Sequence, residues 1–291
     1  MSQASAIAKT PPPCVLVTGA ARRIGRAIAE VYARQGWAVA LHYRRSSAQA
    51  LELQHELLAL GAPAVHLVRA DLTDARDRKE LLSQVLAQAG RLDALINSAA
   101  AFEYDTALSA SADALQQHVQ TNFVAPTELT LLWAQARQKN SQGCGAEQGA
   151  PGHVVTLLDQ KLQNLNPDYC TYTLSKLAAA SSIRFLAQAC APWLRVNAVS
   201  PGVTLPSSDM QDALFEQASA VAALGRSSRA QDIADAVWSL QSLPAVTGQN
   251  LVVDGGQHLV PRRRDVAFEE KPLHPTPRAL PKLSRANGPF A

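Results

Sequence analysis

Cys14-Val15-Leu16-Val17-Thr18-Gly19 runs directly into Ala20-Ala21-Arg22-Arg23-Ile24-Gly25, and the fold follows from how this stretch is read. The first five residues form a short apolar run suited to a strand buried on both faces. Gly19 ends it. From Ile24 to Gln35 apolar residues recur at Ile24, Ala27, Ile28, Val31 and Tyr32, the period of a helix lying on a core, and Gly36 supplies the stop. A buried strand, a glycine turn and a helix bring backbone N–H groups and a positive helix end to one point. That is where α/β folds receive a dinucleotide pyrophosphate.

The same alternation extends outward. Trp37 to His42 reads as a second strand, Ala48 to Leu60 as a helix stopped by Gly61, and Ala64 to Arg69 as a third strand. A helix over Ala75 to Ala89 and a strand at Asp93 to Ile96 follow, then one helix from Asp113 to Arg137. Gln138 to Gly152 is polar and glycine-rich, a surface insertion, because a strand pattern resumes at His153 to Leu158. Tyr169 to Cys190 reads as a helix, Leu194 to Val199 as a strand, Asp232 to Leu240 as a helix and Leu251 to Val253 as a last strand. Strands alternating with helices throughout predict an α/β protein with a single doubly wound parallel sheet, Rossmann-like, covered on both faces. The expected organisation is a disordered lead-in over 1–13, one domain over 14–260, and a basic, proline-rich tail over 261–291.

Composition narrows the class. With 47% apolar and 18% charged residues, the chain has the make-up of a soluble globular protein, and no run of eighteen apolar residues suggests a membrane span. The first thirteen residues do not read as a secretory signal, so a cytoplasmic protein is expected. Cys14, Cys144, Cys170 and Cys190 show no C-x-x-C spacing, which favours reduced thiols and no metal site. The net charge of +3 is concentrated in the tail, where seven basic residues face three acidic ones and leave −1 for the rest. A nucleic-acid partner would therefore have to engage the tail, whose two aromatics are far apart; a surface-draped or disordered extension fits better.

Chemistry is concentrated between Asp159 and Lys176. Tyr172 follows Asp159 by thirteen positions and Lys176 follows Tyr172 by four, so on one helix the tyrosine and lysine share a face. Such a pair can be no more than a solvated helix face. An ammonium beside a phenol, however, lowers the phenol pKa and makes an acid/base pair, and that lowering is expected here. At the end of the second strand, His42-Tyr43-Arg44-Arg45-Ser46 offers two guanidiniums and a hydroxyl where NAD-selective sites carry an acid. Bases at this place match the 2′-phosphate of NADP.

These pieces, with ADLTD at Ala70, INSAAAF at Ile96, TNFVAP around Asn122, RVNAVSPG at Arg195 and TGQNLVVDGGQHL at Thr247, resemble the short-chain dehydrogenase/reductase family over residues 14–260. Within it the chain is most similar to pteridine reductases and bacterial dihydromonapterin reductases, with Arg23 in place of the middle glycine of the turn. The resemblance implies NADPH as cofactor and a homotetramer. It implies that Tyr172 delivers a proton, that Lys176 lowers its pKa and holds the nicotinamide ribose, and that Asn122 fixes a water in the relay. Gly19, Arg22, Arg23, Ile24 and Gly25 would meet the phosphates; His42 and Tyr43 would lie at the cofactor, and Arg44, Arg45 and Ser46 would hold the 2′-phosphate. Asp71 and Leu72 would border the adenine, Asn97, Ser98 and Ala99 the ribose side, and Pro201 and Gly202 the nicotinamide. Phe102 would sandwich a pterin against the nicotinamide, and Arg23 would face both substrate and phosphate. Pro201 to Gly225, with Pro206, Ser207 and Ser208, would form the substrate lid.

Asp159 stands where the wider family has a serine. A hydroxyl donates to a carbonyl oxygen as charge builds on it, whereas a carboxylate accepts N–H bonds and suits reduction of a ring C=N. A dihydropterin is the expected substrate. If Asp159 is protonated it imitates serine, and a ketone or aldehyde reductase is the alternative. A non-catalytic NADPH-binding protein is a third reading. Ala100 replaces a serine found near the pterin in the similar reductases, which removes one polar contact.

Overall fold

The computed structural model describes residues 11–143, 150–206 and 212–268. Most of the lead-in, Cys144, Ser207, Ser208 and the tail from 269 onward lie outside the described residues. Seven strands form one sheet: β1 (Cys14–Thr18), β2 (Ala38–Tyr43), β3 (Val65–Arg69), β4 (Ala94–Asn97), β5 (Gly152–Leu157), β6 (Leu194–Pro201) and β7 (Asn250–Val253). Every pairing is parallel and the order is β3-β2-β1-β4-β5-β6-β7. The order reverses between β1 and β4, so a crevice opens at the carboxyl ends of these strands.

Both sheet faces are covered, and the period of two in β1 shows how. Val15 and Val17 join one core with α1 (Arg23–Arg34), α2 (Ser47–Ala59) and α8 (Ala230–Gln241), through Ile28, Tyr32, Leu53, Ile233 and Val237. Cys14 and Leu16 point the other way, into a core with α3 (Ala75–Ala89), α5 (Ala125–Gly143) and α6 (Cys170–Ala189), through Leu81, Leu129, Trp133 and Leu186. At Gly152 a Cβ would lie 2.6 Å from the Trp133 ring, so glycine lets β5 seat that indole.

The expected helix from Asp113 to Arg137 is interrupted. It consists of α4 (Ala112–Val119), a π-helical turn over Gln120–Val124, and α5. Asn122 lies in that wider turn, a feature common at functional sites. Part of the expected lid is helical, as α7 (Asp212–Ala220). The packed body does not stop at residue 260: the chain continues into a single 3-10 turn at Val266–Phe268, where the Phe268 ring packs on Tyr104. Among the described residues no helix is long and apolar enough to cross a membrane.

Candidate active site

The turn after β1 is built from backbone geometry. Gly19 has φ 65°, and a Cβ there would lie 2.9 Å from Ala99 Cα; a Cβ on Gly25 would lie 2.4 Å from the Gly19 carbonyl oxygen. Glycine at both places lets the turn, the α1 start and the loop after β4 close on one another. Thr18 Oγ1 ties that loop down by accepting from the Ser98 and Ala99 N–H groups at 3.0 and 3.1 Å. Arg22, at the N-cap of α1, makes no side-chain cap, so the first turn presents backbone donors to an anion. Ile24 packs onto the core beneath.

Two residues of this region depart from expectation. His42, 2% exposed, lies beneath the turn instead of facing the crevice. Its Nδ1 accepts from Gly19 N–H at 3.1 Å, which leaves Nε2–H to donate to the Ala70 carbonyl at 3.1 Å. Burial pushes its pKa down to about 4, against the Ala70 hydrogen bond and the Asp71 charge, so the ring is a neutral strut. Arg23 keeps the left-handed backbone of the glycine it replaces, at φ 58°. Its guanidinium donates to the Pro206 carbonyl at 2.9 Å and the Leu205 carbonyl at 3.5 Å, anchoring the chain after β6.

At the other end of the crevice, Arg44, Arg45, Arg69, Ala70, Asp71 and Asp77 line an open pocket, continued by Tyr43 and Ser47. Ser46 caps the adjoining α2 without a side-chain bond. Burial alone would raise the Asp71 pKa, but hydrogen bonds from Thr73 and the charges of Arg44 and Arg45 hold it below its ordinary value. Arg44 reaches Asp71 at 3.8 Å. Leu72 is buried behind. Arg69 was not anticipated here; its signal was the end of the third strand, since parallel register sets Arg69 beside Tyr43. Asn97 turns inward to Thr156, Nδ2 to Oγ1 at 3.3 Å.

The acid/base group gathers where β5 ends and α6 begins. Asp159 Oδ1 accepts from Lys161 N–H at 2.8 Å, and Oδ2 accepts from the Tyr172 hydroxyl at 2.7 Å. Lys176 donates to the Leu157 carbonyl at 2.6 Å, with its ammonium 5.8 Å from the centre of the Tyr172 ring. Burial first, then the Asp159 charge and hydrogen bond, push the Tyr172 pKa well above 10, the reverse of the lowering expected from Lys176. The reason is position: the carboxylate is in contact with the hydroxyl and the ammonium is not. Burial also brings Lys176 down to about 8, with Asp159 opposing. Asn122 donates from Nδ2 to the Ala101 carbonyl and Ser175 Oγ at 2.9 and 3.0 Å, and accepts from Ala101 N–H at 2.8 Å. Its side chain thus fastens the loop carrying Phe102 onto α6.

Phe102 is 46% exposed and stacks on Tyr169 at 4.4 Å and 19°, with Tyr172 edge-on at 4.7 Å. Tyr169, missed in the sequence reading, precedes Tyr172 by one helical turn. Pro201 ends β6, and a Cβ on Gly202 would lie 2.4 Å from Ser227 Oγ and 2.7 Å from Asp254 Cβ, so only glycine fits. Gly19, Ser98, Asp159 and Gly202 each lie just past the carboxyl end of one of four adjacent strands.

A family model described as enoyl-(acyl carrier protein) reductase matches residues 19–258. Pteridine reductase 1 of Leishmania tarentolae is 31% identical over 283 aligned residues, covering 85% of this chain and 96% of the relative. A 3-oxoacyl-[acyl-carrier-protein] reductase of Staphylococcus aureus is 30% identical, covering 84% and 97%. Among solved structures, FolM alternative dihydrofolate reductase 1 of Brucella canis, complexed with NADP, superposes with a TM-score of 0.75 at 33% identity over 86% of this chain and 95% of that one. With this coverage, and with the glycine turn and the Asp159, Tyr172 and Lys176 group in one crevice, the chain belongs to the short-chain dehydrogenase/reductase family of oxidoreductases.

Proposed function

We propose that the protein is a cytoplasmic, homotetrameric NADPH-dependent reductase that converts a dihydropterin ring C=N to the tetrahydro form. The observation that carries this is the 2.7 Å hydrogen bond from the Tyr172 hydroxyl to Asp159, an acid where the wider family uses a serine. The crevice suits the cofactor: α1 begins without a side-chain cap, two glycines admit a close backbone approach, and a pocket with three arginines lies at the adenosine end. Arg44, Arg45, Ser46 and Arg69 would hold the 2′-phosphate, Asp71 and Leu72 the adenine, and Gly19 to Gly25 the pyrophosphate. Asn97, Ser98, Ala99 and Lys176 would border the ribose, with Pro201 and Gly202 behind the nicotinamide. NADPH supplies the hydride when bound.

The chain's own residues supply orientation and the proton. Asp159 accepts from the N–H groups of the pterin's amino edge, and Phe102 offers an aromatic face to its ring. Tyr172, kept protonated by burial and by Asp159, gives its proton to the ring nitrogen as the neighbouring carbon gains hydride. The phenolate that remains then regains a proton from water. Pteridine reductase 1 and the FolM structure among the similar proteins support this reading.

A carbonyl reductase is the second reading, favoured by similarity to the 3-oxoacyl reductase. NADPH oxidation with dihydrobiopterin, dihydromonapterin and dihydrofolate, against a set of ketones and aldehydes, separates the two. Dihydropterin turnover that falls about 100-fold or more in Asp159→Ser is the expected result. Turnover of carbonyls alone would overturn it, and NADPH binding without turnover would move the non-catalytic reading forward.

A further inference from the structure

Asp168 is fully buried, and its carboxylate is met by residues almost a hundred positions further along the chain. Arg264 donates to it from Nε at 2.8 Å and from a terminal nitrogen at 2.7 Å, a two-pronged pair, and the Asp265 N–H donates at 2.8 Å. The Asp168 carbonyl accepts from the buried Lys161 ammonium at 2.6 Å, and that ammonium also lies 3.7 Å from Asp265. Asp168 immediately precedes Tyr169, which begins α6 in the left-handed conformation, φ 54° and ψ 54°. Left-handed backbone is costly for a residue with a side chain and persists when neighbours impose it. The clamp on Asp168 adjoins that bend.

Tyr169 stacks on Phe102, and Phe102 meets the Tyr172 ring edge-on. Phe268 closes the outer side, with its ring 4.7 Å from Tyr104 and 6.0 Å from Tyr169, and the Arg264 guanidinium 5.6 Å from the Phe268 ring. A continuous line of contacts thus runs from the end of the described chain to the acid/base tyrosine.

We infer that Arg264 and Phe268 are positioning residues of the active site: the segment 264–268 acts as a strap that, through Asp168, fixes the Tyr169 and Phe102 rings as the wall on which the substrate ring lies. The substrate half of this inference rests on the reductase reading above. Arg264 acts through Asp168 and touches neither substrate nor cofactor. Its loss should therefore change how substrate is held while leaving NADPH binding alone.

The test compares full-length wild type, Arg264→Gln, Arg264→Lys and Phe268→Ala by hydrogen exchange, NADPH binding and steady-state kinetics. Exchange is expected to rise in Arg264→Gln over 99–106 and 168–173 and to stay unchanged in β1 to β3. KM for dihydrobiopterin should rise about 10-fold or more, the loss of a charge-assisted hydrogen bond. The NADPH dissociation constant should stay within about twofold, and Arg264→Lys should recover part of the KM. Unchanged exchange at those two segments overturns the strap, whatever the substrate. Raised exchange with unaltered substrate KM overturns its positioning role and leaves a structural one. If wild type reduces only a ketone such as ethyl acetoacetate, the dihydropterin reading fails and the same kinetic comparison is made on that ketone. If wild type reduces neither, the exchange result alone decides the strap.

Discussion

The ionisation of Lys176 couples stability to pH on the alkaline side. Its folded value of about 8 lies below its ordinary 10.5, so between those limits the unfolded chain binds a proton that the folded chain has released. Stability from this group therefore rises with pH across that window and is lost again as pH falls through 8. The gap corresponds to roughly 3 kcal/mol. Chemical denaturation of wild type and Lys176→Met at pH 8 and pH 10.5 should show the wild-type stability gaining by about this amount relative to the variant. An equal response in both proteins would mean that the ammonium is not held in a dry site. The sequence pattern placed Tyr172 and Lys176 on one face correctly, yet the direction of the Tyr172 shift depends on which charge touches the hydroxyl, and that is Asp159.

At the scale of elements, the ends of β2 and β3 together line one pocket. Replacing both Arg44 and Arg45 by alanine should raise the KM for NADPH about 10- to 100-fold, the range for losing charge-assisted hydrogen bonds, while the KM for NADH changes little. An equal effect on both cofactors would remove the 2′-phosphate assignment. The turn itself is sensitive to one methyl group. Gly25→Ala would drive its Cβ to 2.4 Å from the Gly19 carbonyl oxygen, backbone that has nowhere to move without parting α1 from β1. A loss of about 1–3 kcal/mol in thermal or chemical denaturation, with weakened NADPH binding, is expected. His42 belongs to the same element-level account. It sits at the end of a strand whose alternate residues face opposite sides, and the parallel neighbours on either side turn it under Gly19 and Ala70.

For the whole molecule, the exposed apolar residues of α6 bear on assembly. Leu174 and Phe185 are three helical turns apart on one face, and Phe185 is 68% exposed. Light scattering should give a mass of four chains for wild type and a smaller one for Phe185→Glu; a wild-type monomer would remove the tetramer from the proposal. The order of strands and helices, the doubly wound sheet and the glycine turn were determined by the sequence itself, because apolar period and turn chemistry are local properties. So was the spacing that sets Tyr172 and Lys176 together. Only tertiary structure decided that Asp159 accepts from Tyr172, that Arg23 holds the loop after β6, and that Arg264 and Phe268 return to the crevice. Those contacts join residues 13, 183, 96 and 164 positions apart, so no local pattern of strand or helix records them. Burial, which sets the charge states of His42, Tyr172 and Lys176, likewise exists only once both faces of the sheet are covered.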